Sequence, residues 1–94
     1  MNTTITESSG NVFADLGFEP AEAAILQMRA KLMSDLREHL KSSRMTQKEA
    51  AERFKIAESR VSDLMHGRWE EFSLEMLITL EARVGRKVTL ELAA

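Results

Sequence analysis

The chain contains no cysteine, so it has neither a disulfide framework nor a thiolate metal site, and its composition suits a reducing compartment. One proline and four glycines leave little material for long loops. No apolar run approaches the roughly 20 residues of a membrane-spanning helix. The opening MNTTITESSGN has no basic segment followed by an apolar one, so it does not read as a secretory signal. The two histidines, His39 and His66, stand far apart in sequence, and no glycine-rich phosphate loop is present. The carboxylate pairs Glu70–Glu71 and Glu58–Asp63 read as solvated surface. These absences predict a cytoplasmic protein that is not an enzyme, holds no cofactor or metal and does not enter a membrane.

What is present is ordinary globular material. Hydrophobic residues make up 44% and charged residues 30%, enough for one small domain around one core. The net charge of −2 is unevenly spread. Residues 1–40 carry six acids and three bases (−3), and residues 69–94 carry five acids and three bases (−2). Residues 41–68 carry seven bases and four acids (+3). A basic middle between acidic ends can present two different binding surfaces.

Residues 1–11 are polar and read as a flexible tail. VFADLGF at 12–18 is a short apolar patch, too short to stand alone, and should pack on the domain or on a partner. Pro20 suits a first helical turn. Beyond it Ile25, Met28, Leu32, Leu36 and Leu40 recur at spacings of three and four, predicting a helix over 21–42 with that stripe turned inward. Thr46 and Glu49 have capping-box spacing and open a second helix, with Ala50, Ala51 and Phe54 on its buried face. Lys55 to Ala57 form a turn. A third helix turns Val61, Leu64 and Met65 inward and stops at Gly67. Ser73 is a candidate N-cap for a fourth helix carrying Leu74, Leu77, Ile78 and Val84 to the core, with Gly85 as its stop.

The periodicity then changes. Val88, Leu90 and Leu92 alternate with Lys87, Thr89 and Glu91, a strand pattern over 86–92. A lone strand leaves its backbone unpaired. The simplest partner is the same strand of a second copy; pairing with residues 12–14, or fraying, is the alternative. The whole is an all-α domain over 12–94, a bundle of about four to five helices closed by a C-terminal β-strand paired across a dimer.

Helix, three-residue turn, helix is the plan of the helix-turn-helix. Ala51 is small where the second helix must cross the first, and Phe54, Val61 and Leu64 supply the buried seam. On a wheel of about 100° per residue, Ser59, Asp63 and His66 point away from Val61, with Arg60 and Ser62 on the flanks and Glu58 near the start. These six are the candidates for meeting base edges in a major groove. Gln47, at a helix N-terminus that attracts anions, together with Arg44, Lys48, Arg53, Lys55 and Arg68, are the candidates for phosphate. An ordinary helical hairpin with a solvated face explains either helix alone; the joint register and the local basic excess favour DNA. A helical protein-interaction module is the competing reading.

At these residues the sequence resembles the Xre (lambda-repressor and Cro-like) DNA-binding family, and looks most like its HigA-type antitoxin subgroup of type II toxin–antitoxin modules. The residues that carry the resemblance are NVFADLGF, MTQKEAAERFKIAESRVSDLMHGRWEEFSLEMLITL and the final GRKVTLEL, together roughly 11–92. The central motif is specific for the fold, while GRWEEFSLE and the terminal strand point to the subgroup. The resemblance implies a lambda-repressor-like bundle and a homodimer on a palindromic double-stranded operator. It further implies repression of the protein's own operon and capture of a RelE/HigB-like mRNA-cleaving toxin. A free-standing Xre-family repressor without a toxin is the alternative. The acidic flanks could face such a basic partner, with residues 1–19 as the segment to order on it, while charge alone equally suits a negative surface that only aids solubility.

Two positions depart from the family pattern. Lys55 stands where glycine is usual in the turn, and a left-handed backbone there would cost about 1 kcal/mol relative to glycine. Ala57 stands where a Ser or Thr cap is usual before the recognition helix, and the missing cap would cost about 1 kcal/mol.

Overall fold

Asn11 caps a single helical turn, α1 (Val12–Asp15): its side-chain oxygen accepts from the amides of Phe13 at 2.9 Å and Ala14 at 3.3 Å. A computed structural model of the chain describes residues 11–93, so the polar tail expected over 1–11 lies, apart from Asn11, outside the described residues. The Asn11 Nδ2 group donates to the Ala23 carbonyl at 3.0 Å and so stitches α1 to the next helix. Phe13 makes edge-to-face contacts with Phe18 and Trp69, at centroid separations of 6.1 and 6.3 Å. The apolar patch at 12–18 therefore packs on the domain.

The long helix α2 runs Pro20–Ser43, with Pro in its first turn and the Glu19 carboxylate accepting from the Ala21 amide at 2.9 Å. Arg44, in the left-handed region (φ 56°), ends it. Helix α3 (Gln47–Phe54) begins with the expected reciprocal box: the Thr46 amide donates to Glu49 at 2.9 Å, and the Glu49 amide donates to the Thr46 hydroxyl at 3.1 Å. Helix α4 (Glu58–Met65) follows after Lys55, Ile56 and Ala57. A 3₁₀ turn (Trp69–Glu71) then leads to α5 (Leu74–Arg83), which Ser73 caps by accepting from the Met76 amide at 3.1 Å.

Helices α4 and α5 end in the same way. The Arg68 amide donates to Asp63 and the Gly67 amide to Leu64; correspondingly, the Arg86 amide donates to Glu81 and the Gly85 amide to Ala82. This paired closure needs a left-handed residue after the helix, and Gly67 (φ +70°) and Gly85 (φ +82°) supply it. At Gly67 space matters too, because an added Cβ would sit 3.3 Å from the Arg37 guanidinium.

The core lies where α2, α3, α4 and α5 converge. Leu36, Phe54, Leu64, Leu77 and Leu80 are fully enclosed, with Met33, Leu40, Ala50, Ala51, Val61 and Phe72 around them. Truncating one of these leucines to alanine costs about 2–5 kcal/mol. The Arg83 guanidinium donates to the Phe54 carbonyl at 2.7 Å and satisfies the C-terminal end of α3.

Two expectations about facing are corrected. On α2 the buried line is Ala23, Leu26, Met33, Leu36 and Leu40, whereas Ile25 and Met28 are 44% and 43% exposed. The two lines are neighbouring stripes of one helix, and the packed elements lie along only one of them. Ile78, expected in the core, is 39% exposed on α5 for the same reason, and Leu80 takes the inner place.

Among the described residues there is no β-strand. The expected strand region carries no regular structure in the single chain, and among the described residues no backbone hydrogen bond joins any residue from Lys87 to Ala93 to another. Residues 12–14 are helical, which removes the intrachain pairing. No helix among the described residues is long and apolar enough to cross a membrane.

Candidate nucleic-acid interface

The two central helices are fixed to each other at their N-terminal ends. Gln47 Nε2 donates to the Glu58 carbonyl at 2.8 Å, bridging the first residue of α3 to the first residue of α4. Beneath them the turn takes the shape that its sequence resists. Lys55 is left-handed (φ 61°) and its amide returns to Ala51, as does that of Ile56 at 3.0 Å. Ala57 stands at the N-cap of α4 with no side-chain bond. The backbone thus keeps the helix-turn-helix geometry against two unfavourable residues, because Ala51, Phe54, Val61 and Leu64 are buried together beneath the turn.

On α4, Glu58, Ser59 and His66 are exposed, while Ser62 and Asp63 are half-buried. His66 Nδ1 lies 2.7 Å from the Ser62 carbonyl. A carbonyl only accepts, so Nδ1 is the donor in this contact. Asp63 lies 3.6 Å from Arg68, which tethers the exposed Arg68 side chain just past the helix end. Arg60 is placed differently from the other base-contact candidates. Its Nη2 donates to the Glu71 carbonyl at 2.8 Å, its Nη1 lies 3.7 Å from the Glu71 carboxylate, and its guanidinium lies 4.8 Å from the centre of the Phe72 ring. It is turned toward the 3₁₀ turn and holds that turn against α4. Sequence reading missed Glu71 and Phe72 as its partners, because they lie eleven and twelve residues away with no local pattern to join them.

Of the phosphate candidates, Arg44, Lys48, Arg53 and Lys55 are exposed and make no ion pair among the described residues. They lie in α3 or just beyond its ends, so much of the basic excess of residues 41–68 sits on exposed side chains with no ion pair among the described residues. Gln47 spends one amide proton on Glu58 and keeps the second. Elsewhere, Glu81 is 2% exposed, and Arg86 reaches it at 3.3 Å and Asp35 at 2.8 Å. Burial above all, and then the neighbouring Asp35, pushes the Glu81 carboxyl up to about 7, against the pull of Arg86.

A short capped helix, a tight turn and a second helix with a polar outer face, flanked by free cations, define a helix-turn-helix unit of the DNA-binding kind. The chain belongs to the helix-turn-helix domain family, whose model matches residues 12–93. No curated protein matches the chain.

Proposed function

We propose that the protein is a sequence-specific DNA-binding repressor that acts as a homodimer on a palindromic operator, with α4 as its recognition helix. The observation that carries this reading is that Arg44, Lys48, Arg53 and Lys55, in and around α3, are exposed without an ion pair among the described residues, while α4, joined to α3 through Gln47 and Glu58, leaves Glu58, Ser59 and His66 exposed. In this reading the four cations and Gln47 hold the phosphates and fix the register. Glu58, Ser59, Ser62, Asp63 and His66 face the bases, with the two carboxylates favouring cytosine amino donors over bare phosphate. The test is binding of the full chain to the DNA upstream of its own gene at several salt concentrations. Affinity falls steeply with salt and exceeds that for scrambled DNA; a salt-indifferent or sequence-indifferent interaction sinks the proposal.

The same reading extends to an antitoxin that represses its own operon and neutralises a RelE/HigB-like mRNA-cleaving toxin. Support comes from the resemblance of the flanks and from the surface of α1. Val12 and Leu16 are 57% and 70% exposed, beside Asp15, Glu19 and Glu22. An acidic, apolar face of this kind suits a basic partner. A chain lacking residues 1–19 then fails to rescue cells from the adjoining toxin; full rescue removes that segment from the interface. A neighbouring gene that encodes no toxin leaves the free-standing repressor.

A further inference from the structure

Arg37, on α2, is a half-buried cation whose Nε is enclosed without a hydrogen-bond partner. Its guanidinium makes neither a hydrogen bond nor an ion pair among the described residues. Its Nη1 lies 3.3 Å from the point that a Gly67 Cβ would occupy, so it rests against the turn that closes α4. A cation at a helix C-terminus ordinarily bonds the last carbonyls. Here those carbonyls are taken: Ser62 accepts from the His66 amide, Asp63 from that of Arg68 and Leu64 from that of Gly67. The turn supplies no anion either. Gly67 stands between His66 and Arg68, Glu71 is spent on Arg60, and Glu70 makes no ion pair among the described residues. A guanidinium with five donors, partly stripped of water, favours an anion brought from outside. Arg29, eight residues back on α2, shares the enclosed and unpartnered Nε but stands about 12 Å further along the helix axis.

We propose that Arg37 binds a phosphate of the DNA backbone at the C-terminal end of α4. The proposal rests on the DNA-binding reading above and deepens it by adding a second anchor. The α3 cations lie in that helix or just beyond its ends, and α3 is tied through Gln47 to Glu58, the first residue of α4. Arg37 lies at the other end of α4, past Met65. With 8 residues, α4 is about 12 Å long. Anchored at one end, such a helix can pivot. Anchored at both, its tilt is fixed, and with it the set of side chains that reach the bases. Arginine suits this position because its planar fork gives two parallel N–H bonds to one phosphate. Arg68, next to Gly67 and 64% exposed at its side chain, adds positive charge at the same end.

The test titrates the full chain against a duplex of the DNA upstream of its own gene, and against single-base variants of that duplex, over a salt series. Arg37→Gln weakens binding to all of them by the same factor, about tenfold at low salt, and lowers the slope of log K against log salt by about 1. Arg37→Lys keeps the charge but not the fork, so it keeps the slope and recovers only part of the affinity. Arg29→Gln leaves both quantities as in wild type. A second measurement replaces single phosphates of the duplex by neutral methylphosphonates. At one position the wild type loses affinity and Arg37→Gln loses nothing further. Should Arg37→Gln fail to fold, Arg37→Lys repeats the scan, and its loss at that position is smaller than the wild type's. An unchanged salt slope with Arg37→Gln, an affinity no lower than that of Arg29→Gln, or a loss confined to one base pair overturns this site and leaves the DNA-binding reading standing. A wild-type chain whose binding ignores salt overturns that reading, and this site with it.

Discussion

Arg60, in α4, donates from Nη2 to the backbone carbonyl of Glu71 at 2.8 Å. With its guanidinium stacked over Phe72, it ties α4 to the turn that follows it. That turn in turn carries Trp69, against which Phe13 of α1 packs. The exposed α1 and the helix α4 are therefore linked through one set of contacts.

Arg60→Ala should lower folding stability by about 1–2 kcal/mol, the scale of a charge-assisted hydrogen bond with a cation–π contact. It should weaken binding to every operator variant by a similar factor, leaving base preference intact. Urea unfolding and a panel of single-base operator variants check this. A selective loss at one base pair would make Arg60 a base reader instead.

Ser59→Ala and Glu58→Ala should act in the opposite manner, with stability held within about 0.5 kcal/mol, as for exposed sites, and base preference altered. Lys48→Ala or Arg53→Ala should weaken binding uniformly and reduce the slope of log K against log salt by about 1 per contact. Anisotropy titrations over a salt series separate the two classes; a salt slope unmoved by either lysine or arginine loss removes that residue from the phosphate set.

The turn contains two removable strains. Lys55→Gly should raise stability by about 1 kcal/mol, since Lys55 sits at φ 61°. Ala57→Ser should add about 1 kcal/mol by capping α4. Thermal unfolding measures both. A destabilised Lys55→Gly would mean that the lysine side chain contributes more than its backbone geometry costs.

Stability should fall between pH 6 and 8.5. Glu81 is raised from 4.5 to about 7, so at intermediate pH the folded chain holds a proton that the unfolded chain has released. The stabilisation from that proton is complete below pH 4.5 and is lost as pH rises through 7, a change of about 1 kcal/mol over the stated window. Glu81→Gln should flatten the dependence; a variant with the wild-type slope would point to another group.

Much of the local structure was legible because it is encoded within a few residues. The Thr46–Glu49 box, the Ser73 cap, the Gly67 and Gly85 stops and the buried Ala51, Phe54, Val61 and Leu64 are all short-range patterns, and they stand where expected. The strained turn was legible too, since Lys55 and Ala57 depart from what the geometry prefers and the backbone adopts that geometry nonetheless. The two errors of facing share one cause. On α2 and on α5 apolar residues stand at neighbouring angular positions, and spacing alone does not say which of them the packed elements cover.

By itself the sequence determined the helices α2 to α5, the Thr46 and Ser73 caps, the turn and the exposure of Glu58, Ser59 and His66, because each depends on propensity and on contacts within about four positions. Only the tertiary structure decided that Arg60 turns to Glu71, that Met28 and Ile78 remain uncovered, and that Arg86 is clamped by Asp35 across 51 residues of chain. Those outcomes depend on which surfaces meet when the helices pack, and no periodicity along a single helix specifies its neighbour.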